Sequence, residues 1–368
     1  MTKRVDLLIN SLRGGGAEKV CVSVANGLIE NGFKVRLLLL NLENEVYFKD
    51  LNEKVKVTIL NKKHARDSVF SLFRYIIKEK PKKFLVFNYQ LTVILILLRF
   101  IFKFKFKLIA RSINTLSEES KLEKSLIKKS VNNYLVRKVY GFSDIIISQS
   151  VGMQEDLIKN YKIDAKKIVV INNPVSKKIE EKARVHQDSS LNYKSTKKNI
   201  LFVGRLSPQK GLDDLIAAIE ISIKREPNLY LKIVGDGPLK QHLQETVIQK
   251  GLNEHIDFKD FTNKIDMEFL QSDLTVLTSK YEGFPNVLLE SITLGVPVVS
   301  YDCPSGPSEI ILEGINGYLV QRNNISEMAE SIILALNNDW DKTLIKETAK
   351  RYSTKKIMSE YSSLLKKD

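Results

Sequence analysis

Apolar positions along this chain fall into short, nearly unbroken runs separated by amphipathic stretches. "RVDLLINSL", "FKVRLLLLNL", "KVKVTIL", "KFLVFNY", "KLIARS", "DIIISQS" and "KIVVINNP" are seven such runs in the first half. Each has strand length and is rich in Val, Ile and Leu without alternation, as parallel strands covered on both faces are. Helical segments separate most of them; "VCVSVANGLIENG" follows a glycine turn and ends at Gly32. From about Lys177 the pattern lapses. "KKIEEKARVHQDSSLNYKSTKK" has no apolar period and reads as a connector between domains. The alternation then restarts with "NILFVGRL", "LYLKIVGDG", "HIDFKDF", "DLTVLTS" and "VPVVSYD", and the tail from Asp339 reads as helical and amphipathic. Two successive runs of alternating β and α predict an α/β protein of two Rossmann-like, doubly wound domains, 1–180 and 181–368. The two would face a cleft, because ligands of such sheets bind beyond the C-terminal ends of the strands.

The length agrees with two cores, since 368 residues exceed one ordinary domain. Cys21 and Cys303, far apart in sequence, form neither a disulfide framework nor a zinc pattern, which points to a reducing compartment. The start "MTKRVDLLIN" is too polar and short for a signal peptide. The most apolar run, Leu91 to Leu98, is stopped by Arg99, far below the roughly 18–20 residues of a spanning helix. The expectation is a cytoplasmic protein.

Charge adds a distinction between the halves. Residues 1–180 hold 34 Lys and Arg against 17 Asp and Glu, whereas residues 181–368 hold 24 against 26. Such asymmetry suggests different partners for the two domains, and a surface merely decorated with lysine would not leave the second half near neutral. "RFIFKFKFKLIAR" interleaves aromatic residues with basic ones, among them Lys103 and Lys105. "KLEKSLIKKSVNNYLVRKV" reads as one helix with Lys121, Lys124 and Lys128 on one face and Leu122, Leu126 and Leu135 largely turned away. Cations with apolar neighbours suit an anionic membrane surface, and they suit the diphosphate of a lipid-linked acceptor equally well.

The chemistry concentrates at strand ends of the second half. In "FVGRLSPQKGLDDLI" a strand ends near Gly204 and Arg205, a Ser-Pro turn follows, and Lys210 opens the next helix. Two cations beside a helix N-terminus make a diphosphate site that needs no metal; two solvated surface cations would read the same. "IVGDGPLKQHL" repeats strand, glycine turn and helix, but position 240 is Lys, so the dinucleotide fingerprint is incomplete. Its glycines, Gly235 among them, permit close backbone approach to a ligand. "YEGFPNVLLE" places Glu282 in a loop and Glu290 on the following helix, about two turns in, with the amides of Gly283, Phe284 and Asn286 around the helix start. Carboxylates and amides so placed suit sugar hydroxyls and phosphate oxygens. "DWD" at Asp339 to Asp341 resembles a metal-binding D-x-D but lies in the helical tail, not at a strand end, and reads as structural.

Taken together, "GGGAEK", "VGRLSPQKGLDDLI", "IVGDGPL" and "SKYEGFPNVLLESITLGVPVVSYDCPSGPSEII" resemble the retaining glycosyltransferases of family 4, the group 1 glycosyltransferases of GT-B fold. The resemblance covers nearly the whole chain, and its specific parts are the E-x7-E element Glu282 to Glu290 and the R-x4-K element Arg205 to Lys210. It implies that Arg205 and Lys210 neutralise a diphosphate leaving group, that Glu290 binds ribose hydroxyls, and that Glu282 holds the donor sugar. Gly14, Gly15, Gly16, Gly204, Gly235, Gly283, Phe284, Pro285 and Asn286 complete the implied donor site. It further implies a UDP-linked donor, no cofactor or metal, and retention of configuration by front-face attack rather than through a covalent Glu282 adduct. Through "YDCPSGPSEII" the chain is most similar to the branch that lengthens polyprenyl-diphosphate-linked glycans with α-linked N-acetylhexosamine, so the implied place of work is the inner face of the cell membrane. Many relatives carry a histidine after the fifth strand, where this chain has "ARSINTLSE"; none of His64, His186, His242 and His255 lies there, and Arg111, Ser112 and Asn114 are the candidates for the acceptor side. A sugar-nucleotide epimerase of the same architecture would need no separate acceptor, which the basic first half argues against. A nucleic-acid-binding protein would share the charge, but no helix–turn–helix, zinc or RNA-binding signature is present.

Overall fold

The seven apolar runs of the first half become seven strands: β1 (Arg4–Ile9), β2 (Lys34–Leu39), β3 (Lys56–Ile59), β4 (Lys83–Val86), β5 (Lys107–Arg111), β6 (Ile145–Ser148) and β7 (Ile168–Val170). All pair in parallel, in the order β3-β2-β1-β4-β5-β6-β7. The second half gives β8 (Lys198–Val203), β9 (Leu229–Val234), β10 (Ile256–Lys259), β11 (Leu274–Leu277), β12 (Val298–Asp302) and β13 (Gly317–Gln321), parallel in the order β10-β9-β8-β11-β12-β13. The α/β reading therefore holds for both halves. β13 is absent from the sequence-based reading: "GYLVQ" sits at the sheet edge, half covered and too polar to stand out. The computed structural model describes residues 3–43, 46–123, 125–185, 197–262 and 264–367.

Each sheet reverses its strand order once, beside its own first strand. In the first sheet the reversal falls between β1 and β4, and in the second between β8 and β11. The crossovers leave these strand pairs in opposite directions, so their C-terminal ends open a crevice with no connection over it. β8 and β11 are joined by Leu274↔Ile200 and Thr275↔Leu201, which sets the two loops that follow them side by side.

In the first unit the register sorts the core into two layers. Leu8, Leu38, Val86, Ala110 and Ile146 are register partners across successive strands, so their side chains share one face. That face packs on the helices Val69–Glu79, Tyr89–Phe102, Leu126–Lys138 and Val151–Tyr161. Leu7, Leu37, Leu85, Ile109 and Ile147 share the other and meet the helices Gly16–Glu30 and Thr354–Lys366.

The unit boundaries differ from the expected 1–180 and 181–368. The first unit is Met1–Pro174 together with Thr354–Asp368, and the second is Val175–Ser353. The last helix returns because its apolar stripe, Ile357, Met358, Tyr361, Leu364 and Leu365, is buried with Val24 and Leu28 of the helix Gly16–Glu30. Gly27 makes the close approach possible: a Cβ there would stand 2.4 Å from Met358 Cγ. The expected connector begins as a helix. Lys177–Val185 is a helix with Ile179 buried in the second core, and 186–196, with His186, lie outside the described residues.

Candidate active site

Two loops leave the reversal point of the second sheet, residues 204–211 after β8 and residues 278–285 after β11. They are stitched together along their length. Lys280 N donates to Gln209 O at 2.8 Å, Gln209 Nε2 donates to Tyr281 O at 2.9 Å, and Thr278 Oγ1 donates to Lys210 O at 3.0 Å. Gly211 takes φ +60°, and a Cβ there would stand 2.2 Å from Thr278 O, so only glycine admits this approach. The stitching brings Lys210 Nζ to 2.5 Å from Glu282 Oε1, with both side chains largely covered. Arg205 is exposed on the first loop. The turn Pro208–Lys210 and Gly211 lead into the helix Leu212–Ser222, so both cations precede a helix N-terminus, as the R-x4-K spacing predicts. The new feature is that Lys210 already has a carboxylate partner.

The "VGDG" turn after β9 packs against the β8 loop. Leu206 N donates to Asp236 O at 2.9 Å and Leu239 N to Leu206 O at 3.0 Å. A Cβ on Gly235 would lie 1.9 Å from Gly204 O, and one on Gly237 2.4 Å from Leu206 O. These glycines thus permit a close backbone approach to the β8 loop, which they brace from the side opposite β11.

The "EGFP" loop runs through Gly283 and Phe284 to Pro285, which caps the helix Asn286–Thr293. Glu290 lies one turn into that helix, not two, and is 7% exposed, as is Glu282. Phe284 is buried edge-on to Tyr352, with ring centroids 5.3 Å apart, so it anchors the loop in the core while its amide stays at the helix start. Beneath the loop lies "CPSGP", which the sequence reading used only as a mark of likeness. Ser305 Oγ donates to Gly283 O at 2.9 Å. Gly306 has φ +98°, and a Cβ there would meet Pro285 Cδ at 2.6 Å and Gly283 O at 3.0 Å. Cys303 is buried, and its thiol is pushed up to about 12, chiefly by desolvation and then by the Glu282 carboxylate, with Lys210 pulling the other way.

The other expected site residues belong to the first unit. Gly14, at φ +130°, and Gly15 lead from β1 into the helix that starts at Gly16. Arg111, expected on the acceptor side, is 1% exposed. Its Nε donates to Tyr361 Oη at 2.9 Å, it also bonds Asn173, and it lies over the Phe87 ring; it holds the last helix to the sheet. Asn114 is half-buried and its carbonyl accepts from Ser112 Oγ. Lys103, Lys105 and Lys128 are exposed, Lys121 is exposed and paired with Glu118 at 2.5 Å, and Lys124 lies outside the described residues. The single helix expected over this region is two, Leu116–Leu122 and Leu126–Lys138. Leu122 and Leu126, expected on the face turned away from the lysines, are 46% and 79% exposed.

Among the described residues no cluster of His, Cys, Asp and Glu has the arrangement of a metal site. Asp341 instead caps the helix Lys342–Ala349, accepting from the amides of Thr343 and Leu344, and Trp340 Nε1 donates to Ala335 O. Among the same residues no helix is long and apolar enough to cross a membrane.

Residues 14–178 match the family described as Glycosyltransferase Family 4, and residues 183–356 match Glycosyl transferases group 1. The chain belongs to these glycosyltransferases. A Haemophilus influenzae glycosyltransferase is 26% identical over 97% of this chain and 98% of its own. The N-acetylgalactosamine-N,N'-diacetylbacillosaminyl-diphospho-undecaprenol 4-alpha-N-acetylgalactosaminyltransferase of Campylobacter jejuni is 27% identical over 95% of this chain and 94% of its own. Among solved structures, Anabaena HepE in complex with UDP and glucose superposes with a TM-score of 0.79 at 20% identity, covering 98% of this chain and 99% of that one. The fold of this glycosyltransferase is thus of GT-B type, and the reversal point of its second sheet carries both of the family's specific motifs.

Proposed function

We propose that this glycosyltransferase moves a hexose or N-acetylhexosamine, with retention of configuration, from a UDP-sugar to a lipid-linked glycan at the inner face of the cell membrane, in assembly of a surface polysaccharide or glycan. The observation that carries this reading is the Lys210–Glu282 pair, with Arg205 on the same loop as Lys210. Nucleotide diphosphate and sugar must be held at one spot, and here cations and a carboxylate meet at the reversal point of the sheet. Arg205 and Lys210 take up the charge that develops on the β-phosphate oxygen as the anomeric C–O bond breaks. The acceptor hydroxyl oxygen forms the new glycosidic bond from the same face, and its proton passes to the departing phosphate oxygen. Glu282 and the amides of Gly283 and Phe284 hold the sugar hydroxyls, and Glu290 accepts from the ribose. With the leaving group held by two side-chain cations, the reaction runs without a divalent metal. A UDP donor is supported by the Anabaena complex, and a diphospho-polyprenol acceptor by the name of the Campylobacter jejuni relative.

Incubating the protein with a panel of UDP-sugars, with and without lipid-linked acceptors, and reading products by mass spectrometry tests this. UDP release that depends on acceptor, with a mass gain of one sugar, is the expected result. An acceptor-independent change of the sugar nucleotide would show an epimerase instead.

A further inference from the structure

Tyr352 is the second-to-last residue of the second unit, and Val175 is the first. The two are joined: Val175 N donates to Tyr352 O at 3.0 Å. The points where the chain enters and leaves this unit are thus tied by a backbone bond. From the same residue the side chain runs inward and is buried. Its ring meets Phe284 edge-on, with the planes 67° apart, an arrangement aromatic pairs favour. Burial pushes the Tyr352 hydroxyl up to about 12, so it stays a donor, and it donates to Glu309 O at 2.7 Å. Glu309 lies in the short helix Pro307–Ile310, directly after Ser305 and Gly306. Glu309 N donates to Gly306 O at 3.0 Å, and Ser305 Oγ holds Gly283 O.

Tyr352 therefore reaches the "EGFP" loop by two routes, directly through Phe284 and indirectly through Glu309 and the residues beneath the loop. The routes are not equal. Glu309 O also accepts from Arg351 Nη2 at 2.5 Å, so it keeps a donor without the Tyr352 hydroxyl, whereas the contact with Phe284 needs the ring. We propose that Tyr352 is a positioning residue for the donor sugar: its ring sets the Gly283 and Phe284 amides, and its carbonyl carries the state of that loop to Val175. The inference rests on the proposed role of those amides in holding the sugar. A residue that only filled the core would affect nucleotide and nucleotide sugar alike. Tyr352 instead separates them, because Arg205 and Lys210 stand on the β8 loop and Glu290 on the helix Asn286–Thr293.

The test uses the full chain and two variants, Tyr352→Leu, which removes ring and hydroxyl, and Tyr352→Phe, which keeps the ring. In Tyr352→Leu, kcat for transfer from the UDP-sugar should fall at least ~10-fold, while calorimetric UDP affinity stays within about threefold. Tyr352→Phe should bring kcat back to within about threefold of the wild type. A second arm needs no variant: hydrogen exchange, read by mass spectrometry, on a peptide containing Val175. Saturating UDP-sugar should slow exchange of that amide at least about threefold beyond saturating UDP, since a steadier loop opens the Val175–Tyr352 bond less often. In Tyr352→Leu that difference should vanish. A Leu variant with wild-type kcat, equal losses for UDP and UDP-sugar, a Phe variant as slow as the Leu variant, or equal Val175 exchange with both ligands would each overturn the proposal. If Tyr352→Leu does not fold, wild-type exchange and the Phe variant decide. A wild type that transfers no sugar overturns the functional reading and this inference with it; an active wild type matched by the Leu variant overturns this inference alone.

Discussion

Lys210 Nζ and Glu282 Oε1 lie 2.5 Å apart although 72 positions separate them in the chain. The adjacency of β8 and β11 and the stitched loops impose the pairing. A charge-neutral pair costs less to cover than either ion alone, so the site holds both groups in place before a donor arrives. In the proposed reaction donor binding would exchange partners, the diphosphate taking Lys210 and the sugar hydroxyls taking Glu282.

Removing either cation of the diphosphate site should therefore damage turnover more than folding. Arg205→Ala and Lys210→Ala are each expected to lower kcat by at least ~100-fold, since one donor to developing charge contributes about 10²–10³ in rate. Activity of the wild type should persist in EDTA. Steady-state kinetics with the donor found in the screen reads both outcomes, and near-wild-type rates in both variants would remove the site assigned here.

Glu290 sits one turn into its helix and is nearly covered, a position suited to gripping a ligand rather than meeting solvent. Glu290→Gln keeps the shape and removes the charge. Hydrogen bonds to a charged group contribute about 1.5–3 kcal/mol, so UDP affinity should drop by roughly 10- to 150-fold in a calorimetric titration. Unchanged affinity would make Glu290 a structural carboxylate.

The shelf under the "EGFP" loop gives a third expectation. Ser305→Ala removes the hydrogen bond to Gly283 O, and Gly306→Ala forces a Cβ into contact with Pro285 and Gly283 at positive φ. Both should displace the Gly283 and Phe284 amides while leaving the cations and Glu290 in place. The comparison to make is UDP against intact UDP-sugar: UDP affinity should stay within about threefold, while kcat with the sugar falls at least ~10-fold. Equal loss for both ligands would mean that the shelf supports the whole site.

Both cysteines should resist alkylation in the native protein. Cys303 is raised to about 12 by burial and the nearby Glu282, and Cys21 is raised by burial. Near pH 8 the thiolate fraction of Cys303 is then more than about a thousandfold below that of an ordinary thiol. Iodoacetamide should label neither residue until denaturant is added, by mass spectrometry. The sign of the linkage follows: a raised thiol favours the native state fully below its unfolded value near pH 8.5, and that contribution is lost as pH climbs toward 12. Rapid native labelling of Cys303 would mean that the loop above it opens.

Much of this was legible in the residues. Seven of seven first-half strands and five of the second were readable because strands covered on both faces are written as unbroken Val, Ile and Leu. The two motifs stood out because each is confined to one strand-to-helix junction. What escaped depends on tertiary partners. β13 lies at an edge and carries a weaker apolar signal. Leu122 and Leu126 were placed on one helix, turned away from its lysine face, but they belong to two helices and both are exposed. Arg111 reads as an acceptor-side candidate, and its bond from Nε to Tyr361, about 250 positions on, is written in no local pattern. Nor does any local pattern say that Lys210 will meet Glu282; only strand order does.

The excursion of the chain from Pro174 to Thr354 has a consequence for biosynthesis. The second unit is a continuous stretch and can close its core as soon as it has left the ribosome. The first unit, though translated earlier, lacks a wall until the last helix emerges to cover Val24, Leu28 and Arg111. Closure of the first unit thus waits on synthesis of the second: the earlier-made part stays open on one side until the helix Thr354–Lys366, made after the whole second unit, covers it.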